Sequence, residues 1–90
     1  MNRQHMQRIA RKSLFWEVPV HRIAQVIEES PAWVVQRIFE YGSLKDVEAV
    51  ILLYGADRVR ELLREIPMTP MVRSMAYVFL DYDPEGYYTF

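Results

Sequence analysis

Ser43 to Ile66 reads SLKDVEAVILLYGADRVRELLREI, and the spacing of its apolar residues decides the fold class. In the second half Val59, Leu62, Leu63 and Ile66 fall on one side of a helix, opposite Arg58, Arg60, Glu61, Arg64 and Glu65. The first half, from Val47 to Tyr54, loses its polar side, because Leu52 falls on the face begun by Lys45 and Glu48. A helix apolar nearly all round belongs at the centre of a helical assembly. Ser43-Leu44-Lys45-Asp46 supplies a capping-box start for it, with Asp46 at the third helical position where its charge also suits the helix dipole. Gly42 and Gly55 each follow a tyrosine at the end of an apolar-periodic stretch, where a left-handed residue usually closes a helix.

On either side of this stretch the spacing stays helical. Val20, Ile23, Ala24 and Ile27 form one stripe, Val34, Val35, Ile38 and Tyr41 another, and Met71, Val72, Met75 and Phe79 a third. Ser30-Pro31 and Thr69-Pro70 each place a side-chain cap acceptor before a proline at the first helical position. These marks predict an all-α fold of five helices over residues 20–29, 31–41, 44–54, 57–66 and 70–80, with links so short that neighbours must pack together. Its expected core is Val35, Ile38, Phe39, Val47, Val50, Ile51, Val59, Leu62, Leu63, Val72, Met75 and Phe79. The two Tyr-Gly steps are too few to define a solenoid. Asp83-Pro84-Glu85-Gly86 reads as a type I turn, and Tyr87 to Phe90 has room for only a brief strand pairing.

Ninety residues, 51% of them apolar, make one domain: a basic leader over 1–12, a helical body over 13–80 and a tail over 81–90. With no cysteine there is neither a disulfide framework nor a thiolate nucleophile, and a reducing, cytoplasmic setting is the expectation. The apolar run Val50-Ile51-Leu52-Leu53-Tyr54 is far short of the roughly 20 residues a membrane span needs. Residues 1–12 carry Arg3, Arg8, Arg11 and Lys12 without an acid, and the remainder holds 7 basic against 12 acidic residues.

No set of residues has the spacing of an active site, so the chain is expected not to be an enzyme and to need no cofactor. Ser13, Ser30, Ser43 and Ser74 have no His and acid partners in pattern, and no Gly-rich loop precedes a helix. Glu28 with Glu29, Asp57 with Glu61, and the Asp81, Asp83, Glu85 run are carboxylate pairs of the kind acid–base or metal chemistry uses. Glu28 and Glu29 precede a helix break, however, and Asp57 and Glu61 interleave with arginines on a solvated face. His21 lies beside Arg22 and His5 in the leader, and no metal site is expected.

Binding signals are stronger. Arg3, Arg8, Arg11 and Lys12 recur at helical intervals, which suits either sequence-tolerant phosphate contacts or a solvated leader. A helix-turn-helix drawn through Gly55 would read DNA with Arg58, Arg60 and Arg64, but Asp57, Glu61 and Glu65 share that surface and repel phosphates. Trp33 is in register with Gln36, Arg37 and Glu40, so it either anchors an interface or packs beneath the N-terminal segment against Phe15 and Trp16. Tyr82, Tyr87, Tyr88 and Phe90 make the tail too aromatic for a solvated terminus, which leaves docking on its own core or on a partner.

Across residues 14–80 the order of features resembles a family of small helical prokaryotic proteins encoded beside AbiEii-type nucleotidyltransferase toxins and taken to be their antitoxins. The resemblance runs through Leu14-Phe15-Trp16-Glu17, then Val34-Val35-Gln36-Arg37-Ile38-Phe39-Glu40-Tyr41-Gly42. It continues through Leu44-Lys45-Asp46 to Leu53-Tyr54-Gly55, the helix Arg58-Val59-Arg60-Glu61-Leu62-Leu63 and the Thr69-Pro70 cap. The chain departs from that pattern at Glu65-Ile66-Pro67-Met68 and Met75-Ala76-Tyr77, where family members often have a basic stretch and an aromatic pair. The resemblance implies a protein-binding module that neutralises a nucleotidyltransferase toxin, and the aromatic readings above make Trp16, Trp33, Arg37, Tyr82, Tyr87 and Tyr88 the contacts to expect. A small DNA-binding regulator using Arg3, Arg8, Arg11 and Lys12 is the alternative.

Overall fold

A computed structural model describes residues 3–84 and 86–88. Six α-helices follow one another: α1 (Arg3–Ile9), α2 (Ile23–Glu29), α3 (Pro31–Tyr41), α4 (Leu44–Tyr54), α5 (Ala56–Leu62) and α6 (Pro70–Leu80). A 3₁₀ turn over Val20–Arg22 leads into α2 and another over Leu63–Glu65 prolongs α5. The five expected helices are present, a sixth forms in the basic leader, and the described residues contain no strand. Glu85, Thr89 and Phe90 lie outside the described residues, and with them part of the expected turn and strand. The turn's closing bond is visible, Gly86 N–H donating to the Asp83 carbonyl at 3.1 Å.

α3 and α4 form the middle of the bundle, α3 touching α2, α4, α5 and α6, and α4 touching α1, α3 and α5. Of the expected core, Ile51, Met75 and Phe79 are only half-buried, and the other nine residues are buried. The core also takes in Ile9, Leu14, Phe15, Ile23, Ile27, Val34, Ala49, Leu53, Ala76 and Leu80. Ile9 is fully buried because α1 lies along α4, so the apolar interior reaches into the leader and is not confined to residues 13–80. Stripe membership overstated burial elsewhere: Val20, Tyr41 and Met71 are exposed, and Leu52 shares a solvent-facing strip of α4 with Lys45 and Glu48.

The helix boundaries follow local chemistry. Ser43 Oγ accepts from Asp46 N–H at 3.2 Å while Asp46 Oδ2 accepts from Ser43 N–H at 2.9 Å, a complete capping box. Thr69 Oγ1 caps α6 by accepting from Val72 N–H at 3.4 Å. Ser30 makes no side-chain cap bond, so α3 starts on Pro31 alone, whose missing N–H leaves one fewer donor to satisfy. Gly55 has φ +94°, a positive value that favours glycine, although its ψ of 141° lies outside the left-handed helical conformation expected. Gly42 has no positive φ: its φ is −81°, and it is required for space, since a Cβ there would sit 2.7 Å from the Ile38 carbonyl oxygen and 2.9 Å from Asp46 Cβ. That clearance lets α4 begin directly against the end of α3.

Candidate partner-binding surface

Between α1 and the Val20–Arg22 turn the chain folds by short-range bonds, Leu14 and Phe15 N–H donating to the Arg11 carbonyl and Val18 N–H to that of Phe15. This turning sends neighbouring aromatics opposite ways: Phe15 is fully buried and Trp16 is 51% exposed. Phe15 meets Trp33 of α3 with ring centroids 5.9 Å apart, and Trp16 meets Tyr41 edge-on at 5.3 Å. Trp33 is therefore a half-buried residue beneath the N-terminal segment, with Arg37 beside it.

Arg37 organises the cluster. Its Cζ lies 4.0 Å from the Trp16 ring centroid, 4.5 Å from that of Trp33 and 5.8 Å from that of Tyr41. Contact with aromatic faces is favourable for a planar, weakly hydrated guanidinium. In the plane of the fork, Nη1 donates to the Leu14 carbonyl at 3.0 Å and to Glu17 Oε1 at 2.8 Å, and Nη2 donates to Glu17 Oε2. These bonds from Arg37 hold the Glu17 carboxyl down at about 2 and push the guanidinium up in turn. Both groups stay charged at neutral pH, so neither is poised to exchange a proton there. A cleft of about 190 Å³ opens beside it, lined by Trp33, Gln36, Arg37, Glu40 and Tyr41. Glu40 on its wall accepts from Thr69 Oγ1 at 3.3 Å.

The tail residues form a second group, on α6 rather than around Arg37. Tyr82 packs half-buried against the core, and Tyr88 stacks on Tyr77 with centroids 4.4 Å apart. The Tyr88 hydroxyl is 3.0 Å from Ser74 Oγ. Asp83 fixes this return by accepting from Tyr87 and Tyr88 N–H, at 2.9 Å each. The described tail thus docks on its own chain, with Tyr87 left exposed and Arg73 Cζ 4.5 Å from its ring centroid.

Three of the leader cations have internal partners. Arg8 Nε donates to Asp46 Oδ1 at 3.2 Å, while Arg11 Nη1 and Nη2 donate to Asp46 Oδ1 and Oδ2 at 2.8 and 2.9 Å. Lys12 Nζ donates to the Val18 carbonyl at 2.7 Å, and Arg3 is exposed. Asp46 is buried, and the Arg11 bonds, helped by Ser43, hold its carboxyl well below the usual range against the opposing effect of burial. On α5, Arg60 is drawn to Asp57 at 3.0 Å and to the Leu80 carbonyl at 3.1 Å, which turns it toward the end of α6. Glu17, Tyr41 and Asp46 are the three contributors that sequence reasoning did not assign. Among the described residues no three His, Asp or Glu side chains gather as metal ligands, and no helix is long and apolar enough to cross a membrane.

Residues 10–63 match a family of unknown function, DUF6922. The chain belongs to that family. The DUF6922 match runs from Ala10 to Leu63, so it takes in Trp16, Glu17, Trp33, Arg37, Tyr41 and Asp46 and ends before α6 and the tail tyrosines. No curated protein and no solved structure matches the chain.

Proposed function

We propose that this protein is a non-enzymatic binding module that docks on a partner protein through Trp16, Tyr41 and Arg37, and that the partner is a nucleotidyltransferase-type toxin which it neutralises. The carrying observation is Arg37 held between Trp16 and Trp33 while Trp16 and Tyr41 stand exposed beside it. Tryptophan, tyrosine and arginine are the residues that dominate interface energetics, and ones already fixed by their neighbours lose little freedom on binding. The choice of partner rests on the resemblance of residues 14–80 to small helical proteins encoded beside AbiEii-type nucleotidyltransferase toxins. Charge supports it as well, because 12 acids against 7 cations over residues 13–90 suit the basic surface of an enzyme that handles nucleotides or RNA. Docking there neutralises such an enzyme by covering its substrate cleft.

Co-expression with the product of the adjacent gene tests this. The expected result is that the wild-type chain relieves a growth defect caused by that product, and that Trp16→Ala combined with Tyr41→Ala does not, while circular dichroism shows the variant folded. An adjacent gene that encodes no nucleotidyltransferase, or relief by the folded double variant, contradicts the proposal.

A further inference from the structure

The leader segment and α4 together carry charge of the opposite sign to the rest of the chain. Residues 3–12 and 44–54 hold five cations, Arg3, Arg8, Arg11, Lys12 and Lys45, against Asp46 and Glu48, a formal +3. The other six cations and ten acids leave the remainder at −4. Between the two helices runs an open groove of about 410 Å³. Arg8 and His5 line its α1 side, and Lys45, Glu48, Ala49 and Leu52 line its α4 side. The four α4 residues are spaced three, four and seven apart, so they form one stripe about 10 Å long at 1.5 Å per residue. The stripe is polarised. Lys45 stands at the end where Arg8 reaches Asp46, and Leu52, 55% exposed, lies two turns further on with Ala49 between.

We propose that this groove binds an acidic peptide segment of a partner protein, seating one carboxylate on Lys45 and Arg8 and one apolar side chain on Ala49 and Leu52. Charge complementarity selects the occupant. Only Nε of Arg8 is used by Asp46, and the side chain stays 44% exposed, so its fork remains within reach of a carboxylate. A groove about 10 Å long takes roughly three extended residues, at about 3.3 Å each, which matches one acidic and one apolar contact on the same side of a strand-like segment. A nucleic-acid strand suits it less. Among the described residues no Phe, Tyr or Trp lines the groove to stack successive bases, and Glu48 stands midway along the wall that successive phosphates would follow. The surface is independent of the one around Arg37, so it can fail without affecting that proposal.

The test is fluorescence anisotropy with a labelled peptide of alternating glutamate and leucine, set beside the lysine–leucine counterpart and a labelled oligothymidylate. The full-length chain binds the acidic peptide in preference to both. Lys45→Glu weakens that binding about tenfold, equivalent to about 1.4 kcal/mol, Leu52→Ser weakens it several-fold, and Glu48→Gln strengthens it. Lys45 and Leu52 are exposed, and thermal melts of the variants check that they remain folded. The proposal is overturned if the acidic peptide does not bind, if both folded variants bind it as the wild type does, or if oligothymidylate binds more tightly, which would assign the face to nucleic acid.

Discussion

Two arginine–carboxylate clusters fasten the N-terminal segment to the helical body, and they are built the opposite way round. At Asp46 the carboxylate is inside, 1% exposed, and the arginines that serve it, Arg8 and Arg11, lie near the surface. At Arg37 the guanidinium is inside, 11% exposed, and its carboxylate, Glu17, is 48% exposed. A buried carboxylate that also completes a helix cap has no water to replace a lost partner, so its pairing is part of the fold. An exposed carboxylate gives up its partner at little cost. What then remains is a largely covered guanidinium that keeps the Leu14 carbonyl and the Trp16 and Trp33 rings as partners. Asp46 is accordingly the structural fastening, and under the proposed function the Arg37 cluster is the binding one.

The severest way to break this contrast is to remove the arm itself. A chain beginning at Ser13 loses the burial of Ile9, about 1.5–3 kcal/mol, and strands the Asp46 carboxylate, about 3 kcal/mol or more. Together these rival the roughly 5–15 kcal/mol that holds a small domain folded. Circular dichroism of the truncated chain should therefore show a largely unfolded protein at room temperature. A cooperative melt at the wild-type midpoint would show instead that the leader is a dispensable appendage.

Asp46→Ala comes next, removing the acceptor of Ser43 N–H, Arg8 and Arg11 while the Ser43 cap bond stays, for about 2–3 kcal/mol in urea unfolding. Asp46→Asn keeps an acceptor for Ser43 N–H and should cost about 1–2 kcal/mol. Acid sharpens the point. Because the folded-state Asp46 carboxyl titrates below its ordinary value near 3.8, its contribution is fully present above about pH 4 and is lost as pH falls below that toward the folded pKa. Wild-type stability should therefore drop in that window more steeply than that of Asp46→Asn, and parallel pH profiles would contradict the buried pairing. The smallest effect belongs to Glu17→Gln. It should leave the unfolding midpoint near wild type but shift the tryptophan emission, since Arg37 loses the charge that fixes it between Trp16 and Trp33. An unchanged spectrum would show that the aromatic sandwich holds Arg37 without its carboxylate.

The parts legible in the sequence were those set within a few residues. Ser43 and Asp46 lie three apart, and their capping box was readable as such. The proline starts of α3 and α6 and the stripe Val59, Leu62, Leu63 were likewise local. Asp46's other role was not, because Arg8 and Arg11 stand 38 and 35 positions away and a carboxylate that explains itself as a cap raises no further question. Met6, Ile9 and Ala10 among the leader's cations were the available signal, apolar residues at helical spacing that all end up against the core. Trp33 shows the same limit. Its register with Gln36, Arg37 and Glu40 gave its face of α3, but the covering segment comes from the turn at Phe15 and Trp16, which no periodicity reports. Gly42 was singled out for the wrong reason, since a glycine needed for clearance looks the same in sequence as one needed for positive φ.

The most direct test of the division between the two fastenings is the affinity of the adjacent-gene product for two variants, Trp16→Ala and Asp46→Asn, measured by calorimetric titration at a temperature where both are folded. Trp16→Ala should bind at least about tenfold more weakly than wild type, as expected for an interface tryptophan worth 1.4 kcal/mol or more. Asp46→Asn, although the less stable protein, should bind within about twofold of wild type. If the order were reversed, with Asp46→Asn losing the partner and Trp16→Ala keeping it, the binding surface would lie at the α1–α4 side and the Arg37 cluster would be the structural one.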